Sequence, residues 1–325
     1  MTPTMGRIVH DHRGRYWVGQ AEEVKVFGPR GTFLATIGRG GDGPLEFRRA
    51  TPIHLDAQGH VHVLDPLNMR ISRIGDDFGL VDQRRLPGPT WDAAPLEDGA
   101  GYAIAAWVPT ADHMGLPLHV LGTDDVSASF GGDPGREGRE LIDQSSIELT
   151  LSSDGASGTV FTVPQWDYRL EAWRSDGQHA GTVEGPSLDD GQRGPGGSWS
   201  FDNPPWNGIV DIKHDAMGLL WVIVQVRTTD WRDHATESIL PDGRVTLEWP
   251  DNDPTTVFRS RLDIIEPETC TLKVSEWFSG QGLLLGFVEG ASPMAVSELT
   301  YEGGLIPTIT LWQADLVPSE QEQGG

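Results

Sequence analysis

Four groups of residues in this sequence have types and spacings that bear on chemistry. Gly38-Arg39-Gly40-Gly41-Asp42-Gly43 fits G-x-G-x-x-G after an apolar stretch, the pattern of a dinucleotide-binding turn. That reading fails on its surroundings. Pro44-Leu45-Glu46-Phe47 opens no helix, no βαβ unit follows, and Asp42 would face a pyrophosphate, so a turn between strands is expected. The ten histidines contain neither H-E-x-x-H nor a His/Cys pair at zinc spacing. The acidic clusters Asp124-Asp125, Asp189-Asp190 and Asp251-Asn252-Asp253 could offer oxygen ligands to calcium, the one ion with a donor pattern to weigh. None has EF-hand spacing, and in so acidic a chain such clusters are expected on solvated loops. No cofactor is therefore expected. A G-x-S-x-G elbow is absent, and no Ser/His/Asp set stands out. The twelve tryptophans are the fourth group, and they divide by position. Trp17, Trp173, Trp221, Trp277 and Trp312 fall in strand-like stretches and read as packing. Trp91, Trp107, Trp166, Trp199, Trp206, Trp231 and Trp249 fall at strand ends or in loops, where a ring can stack on a ligand or cap a core beneath the loop.

Composition narrows the partners. Lys and Arg number 24 against 48 Asp and Glu, a net charge of −24 that repels nucleic acid over most of the surface. Cys270 is the single cysteine, which leaves no internal disulfide and no thiolate cluster. No stretch approaches the roughly 18 apolar residues of a membrane helix, so no membrane insertion is expected. The N-terminus carries no signal-peptide pattern; it begins almost inside a strand, and an extracytoplasmic location is expected only if a leader has been lost upstream. The 41 glycines and 23 prolines suit one large all-β domain, expected as a monomer.

The elements that must position these residues come from a repeat. An apolar strand, an acidic or polar turn ending in glycine, and a second apolar strand recur five times. Ile8-Val9-His10-Asp11 reaches Gly14 and continues as Arg15-Tyr16-Trp17-Val18. Ile53-His54-Leu55-Asp56 reaches Gly59 and continues as His60-Val61-His62-Val63, and weaker copies turn at Gly101, Gly158 and Gly218. Each copy is followed by two more strand-like stretches. That is the grammar of four-stranded blades around an axis, strands a to d. A sixth, three-stranded blade is read from Leu283 to Leu316, without a turn glycine, giving a propeller over 1–317 and a disordered tail over 318–325. On the turn alignment His10 and His214 share a register that Leu55 fills in the second copy, while His54 aligns with Val9 and Lys213. The histidines do not converge on one metal.

The Asp-x-x-Gly turns at Asp11 and Asp56, the segment Asp65-Pro66-Leu67-Asn68-Met69-Arg70-Ile71 and the Ile37–Phe47 connection carry a resemblance to bacterial NHL-repeat-like six-bladed β-propellers. Leu283–Phe287 and Pro307–Trp312 resemble the closing blade of that group. The resemblance implies a fold and leaves activity open, because such propellers include binding scaffolds and some enzymes. It brings in two alternatives: a channel calcium of the lactonase type, or a zinc site of the propeller-lyase type. Asp65-Asn68-Arg70 and Asp167-Tyr168-Arg169 read as hydrogen-bonded turns of the repeat.

In a blade the a–b and c–d turns lie on one face and the b–c and d–a connections on the other. Every long segment (38–51, 107–117, 131–146, 185–208 and 227–257) belongs to the second face, where a scaffold is elaborated for recognition. The expected function is non-catalytic binding of a protein, peptide, carbohydrate or small molecule there. The candidate residues are Trp107, Trp166, Asp167, Trp206 and Trp231, with His54 and Lys213 from inner strands. A metal-assisted hydrolase, lactonase or lyase working from the channel is the alternative.

Overall fold

Strands of three to nine residues, most of them bounded by Gly and Asp turns, make up the computed structural model together with short 3-10 turns, and no α-helix occurs among the described residues. These are 7–110, 112–113, 115–123, 125–131, 149–154, 157–165, 167–188, 199–249, 253–280, 282–291, 294–302 and 306–314. The expected tail at 318–325 lies outside them.

The chain lays down antiparallel sheets in sequence order. β1 (Ile8–His10), β2 (Tyr16–Gln20), β3 (Glu23–Phe27) and β4 (Phe33–Ile37) form the first. β5 (Thr51–Leu55), β6 (Val61–Asp65), β7 (Arg70–Ile74) and β8 (Leu80–Arg85) form the second. The third holds β9 (Thr90–Leu96), β10 (Gly101–Ala106), β11 (Leu118–Leu121) and β12 (Val126–Phe130). The fourth holds β13 (Leu149–Asp154), β14 (Thr159–Pro164), β15 (Arg169–Arg174) and β16 (His179–Glu184). In the fifth, β17 (Gly208–His214) and β18 (Leu220–Arg227) are separated in sequence from β21 (Phe258–Glu266) and β22 (Thr271–Trp277) by an inserted hairpin, β19 (Thr236–Ile239) and β20 (Val245–Glu248). β23 (Leu283–Glu289), β24 (Ala295–Glu302) and β25 (Ile306–Gln313) complete the set. They join the first sheet through a parallel pairing of β23 with β1, Ile8 opposite Val288 and Val9 opposite Glu289.

The innermost strands β1, β5, β9, β13, β17 and β23 contact one another in a closed cycle. Burial falls outward from this ring: β6 is buried at every position, whereas β8 and β22 are largely exposed. Each main core is shared by neighbouring sheets. Trp17, Val24 and Val26 pack on Val61, Val63 and Ile74; Leu64 and Ile71 pack on Tyr102 and Ile104; Val163 and Leu170 pack on Val222 and Val224. Second strands apolar on both faces are thereby covered on both faces. The all-β architecture is that of a β-propeller.

The repeat turn has a specific hydrogen-bond logic. Asp11 accepts the Arg15 N–H (2.9 Å) and the Trp17 indole N–H (2.8 Å); Asp215 accepts the Leu219 N–H (2.9 Å) and the Trp221 indole N–H (2.7 Å). In the second sheet Asp56 accepts the His60 N–H (2.7 Å), and His62 Nε2 lies 3.1 Å from its carboxylate. His62 thus takes the place of the tryptophan. With its Nε2–H donated to Asp56, its Nδ1 accepts from the Tyr102 hydroxyl at 2.6 Å, linking two sheets. Two sequence expectations change here. The turn glycine of the third copy is Gly99 (φ +82°), with Gly101 already in β10, and the last sheet does have one, Gly290 (φ +75°). Only glycine fits at Gly290, because a Cβ there would strike the His10 carbonyl oxygen of the paired strand β1.

Burial pushes His62 down to about 4, against the opposing pull of Asp56, and burial likewise pushes His119 down to about 4. Both rings are fully buried. The unfolded chain, with histidines near 6.5, binds protons that the folded chain refuses. Stability is therefore complete above pH 6.5 and declines as pH falls towards 4, by up to about 3 kcal/mol per ring. Urea unfolding midpoints are expected to drop between pH 7 and pH 4.5; a constant midpoint would contradict the neutral-histidine assignment.

Candidate functional site

The inner strands carry one extra residue where their register with the second strand shifts: Ile53 in β5, Trp91 in β9, Val210 in β17 and Leu285 in β23. A bulge re-aims a side chain. Trp91, Val210 and Leu285 line a pocket of about 140 Å³ at the axis, on the face of the long connections.

The residues after two of these bulges, Asp92 and Asp211, meet Arg7 across the axis. Arg7 Nη2 donates to Asp92 (2.9 Å), Asp211 (3.2 Å) and the Leu151 carbonyl (2.9 Å), and Nη1 donates to the Ala93 carbonyl (3.3 Å). The carboxylates also tie strands together: Asp92 accepts the N–H of Leu151 (2.8 Å) and Asp211 that of Phe287 (2.9 Å). Burial raises the Asp92 pKa above the usual carboxylate range even though Arg7 pulls the other way, and the nearby Asp211 adds to the rise. Arg7 is raised, because Asp92, Asp211 and Glu289 together outweigh the effect of burial.

Arg7 lines both the long-loop pocket and a second pocket, of about 80 Å³, at the short-turn end. It therefore divides the axial space. The lower pocket is bordered by Ser152, Ser153, Lys213, His214 and Glu289. Burial would raise the Glu289 pKa, but its ion pair with Lys213, with His54 Nδ1 at 3.7 Å on the other oxygen, holds it far below the usual range.

On the long-loop side the turn after β6 sets the rim. Asp65, fully buried, accepts the N–H groups of Arg48 (3.3 Å) and Arg49 (3.1 Å) and the Asn68 amide (2.8 Å). Arg70 donates to the carbonyls of Asp42, Gly43 and Glu46. The Asp65-Asn68-Arg70 set thus knits a turn, as the sequence suggests, and it also fixes the connection that delivers Arg49 to the pocket. The glycine cluster at 38–43 belongs to this connection. A Cβ at Gly40 would meet the Glu22 carboxylate and one at Gly41 that of Glu46, a cradle already filled by anions.

The seven residues expected from sequence do not form one cluster. His54 and Lys213 come together at Glu289, towards the short-turn end and away from the tryptophans. Trp107 follows β10 on the long-loop face and is 41 % exposed; Asp167 is exposed beside Gln165, which lines the upper pocket. Trp206 is half-buried against Trp199, ring centroids 6.3 Å apart. Trp231 is buried in a second core with Leu247, Val257, Phe258 and Leu283, flanked by Trp199, Phe201 and Trp249 beside the inserted hairpin. Trp166 lies outside the described residues, as do Asp124, Asp189, Asp190, Asp251 and Asn252 of the acidic clusters. Among the described residues no three His, Cys, Asp or Glu side chains are placed to hold one metal ion.

Arg7, Asp92 and Asp211 had a signal in the sequence. Each stands seven residues before its turn glycine, at 14, 99 and 218. Taking Gly101 as the third turn displaces that register by two and hides the coincidence.

No family model matches the sequence. No curated protein matches it. Solved structures do. A member of the DUF4221 family from Bacteroides vulgatus superposes with a TM-score of 0.56 at 9 % identity, covering 97 % of this chain and 95 % of that one. A putative exported protein from Bacteroides fragilis gives 0.53 at 14 % identity, covering 90 % and 78 %. Virginiamycin B lyase from Staphylococcus aureus gives 0.49 at 12 % identity, covering 92 % of each chain. At these identities the likeness is one of fold, and the chain shares the propeller-type architecture of the first two.

Proposed function

We propose that this chain is a single-domain, six-bladed propeller of the NHL-repeat-like kind, its last blade three-stranded, and that it acts as a binding scaffold. It takes one end of a peptide, carbohydrate or other small molecule into the axial pocket on the long-loop face. The observation that carries this reading is the construction of that pocket. Three bulged inner-strand residues and an arginine from a long connection converge above an ionic floor of Arg7, Asp92 and Asp211.

Size sharpens it. Ligand sites that enclose a whole drug-sized molecule run to roughly 300–1,000 Å³, whereas about 140 Å³ admits a terminal group only. The rest of the ligand would lie across the loops, where Trp107 and Asp167 are exposed. The carboxylates nearest the axis are engaged by Arg7 and backbone N–H groups, which favours binding over a metal-assisted hydrolase or lyase. Soaking crystals of the protein with a fragment library tests the proposal, with occupancy expected first in this pocket.

A further inference from the structure

We propose that the long-loop axial pocket receives a carboxylate monoanion, with the Arg49 guanidinium as its ion-pair partner; this deepens the axial-pocket reading and rests on it. The arginines around the same connection are spoken for. Arg39 pairs with Glu46 (2.6 Å), Arg48 with Asp42 (2.7 Å), and Arg70 with three backbone carbonyls. Arg49 is held through its backbone N–H by Asp65, and its guanidinium has no partner among the described residues. In a chain with twice as many acids as bases, a cation left unpaired at the rim of a pocket is a site awaiting an anion.

The pocket's own carboxylates do not fill that role. Asp92 accepts from Arg7, Ala93 N–H and Leu151 N–H; Asp211 accepts from Arg7, Ile212 N–H and Phe287 N–H. Thr51, Thr150 and Gln165 supply neutral polar groups on the lining, while Leu64, Val210 and Leu285 supply an apolar wall. A short alkyl chain ending in a carboxylate matches this mixture. A phosphoryl dianion does not. Asp92 and Asp211 are engaged by Arg7, so the unpaired guanidinium of Arg49 answers a single negative charge, and a second would lie against those carboxylates in a chain of net charge −24.

An alkyl carboxylate can arrive as a free small acid or as a peptide C-terminus, and the probes separate these sources. Isovalerate and isovaleramide are titrated against the full chain by NMR or calorimetry, alongside N-acetyl-Gly-Leu as free acid and as amide. Each acid is expected to bind roughly 10- to 100-fold more tightly than its amide. Arg49→Ala should abolish that preference with the unfolding midpoint unchanged, and Arg49→Lys should retain part of it. A peptide acid clearly tighter than isovalerate identifies a chain terminus, and equal affinity identifies a small acid. Equal binding of acid and amide, or a preference that survives Arg49→Ala, overturns the carboxylate assignment and leaves the pocket reading standing. No binding by any probe also overturns the assignment. If soaked fragments are then absent from the pocket too, the binding reading falls with it.

Discussion

Arg7→Ala is expected to destabilise the protein by about 3–5 kcal/mol, the range for removing one partner of a buried ion network. The cost comes from what is left behind. Asp92 and Asp211 project to the axis from two sheets, and Arg7 is the cation they share. Without it two nearby carboxylates face each other in a largely buried space, so their folded-state pKa values rise well above the unfolded value of about 4. A raised carboxylate pKa costs stability at high pH and costs nothing once pH falls below the unfolded value. The loss on Arg7→Ala should therefore be largest at pH 8 and shrink on acidification. Adding Asp92→Asn and Asp211→Asn should recover part of it at neutral pH. Denaturant unfolding of the variants from pH 5 to 8 checks both points. A pH-independent loss below about 1 kcal/mol would mean that Arg7 is a surface contact rather than the latch of the ring.

Trp231→Ala should cost about 3–5 kcal/mol, as for other fully packed tryptophans, with a different distribution. Trp231 is 5 % exposed and sits on the inserted hairpin's side of the second core. Arg227 and Arg232 lie 5.5 and 5.2 Å from its ring centroid, and Phe201 packs on it at 5.8 Å. Its removal should release the hairpin 236–248 and the segment 199–206 before the ring of sheets. Amide exchange should accelerate in β19 and β20 while β17 and β18 stay protected. Trp231→Phe should keep most of the protection. Unchanged exchange in the hairpin would mean that Trp231 does not anchor it.

How far the sequence speaks differs element by element. The Asp11-to-Trp17 and Asp215-to-Trp221 turns are local, so their strands and the propeller architecture can be read directly. The twofold covering of β6 follows from its apolar character on both faces. The last sheet's link to β1 is a pairing of residues some 280 positions apart, outside the reach of any local pattern. Loop tryptophans present the same local text whether they stack on a ligand or on one another. Only the long-range contacts of Trp199 with Trp249 and Phe258 decide that. Bulges at Trp91, Val210 and Leu285 shift which side chain faces the axis by one residue, so a strict alternation of faces misplaces the lining. Arg49 lay in a connection whose length marked it for function, but nothing local told its side chain apart from those of Arg39 and Arg48.

The central claim is that the axial pocket on the long-loop face is where this propeller binds its ligand. The most direct measurement is the position of bound fragments in crystals of the full chain soaked with a chemically mixed library. The account predicts density between Arg7, Arg49 and Thr150, against the walls made by Trp91, Val210 and Leu285. Fragments confined to the Lys213–Glu289 end, or to the outer strands, with this pocket empty throughout, would contradict it.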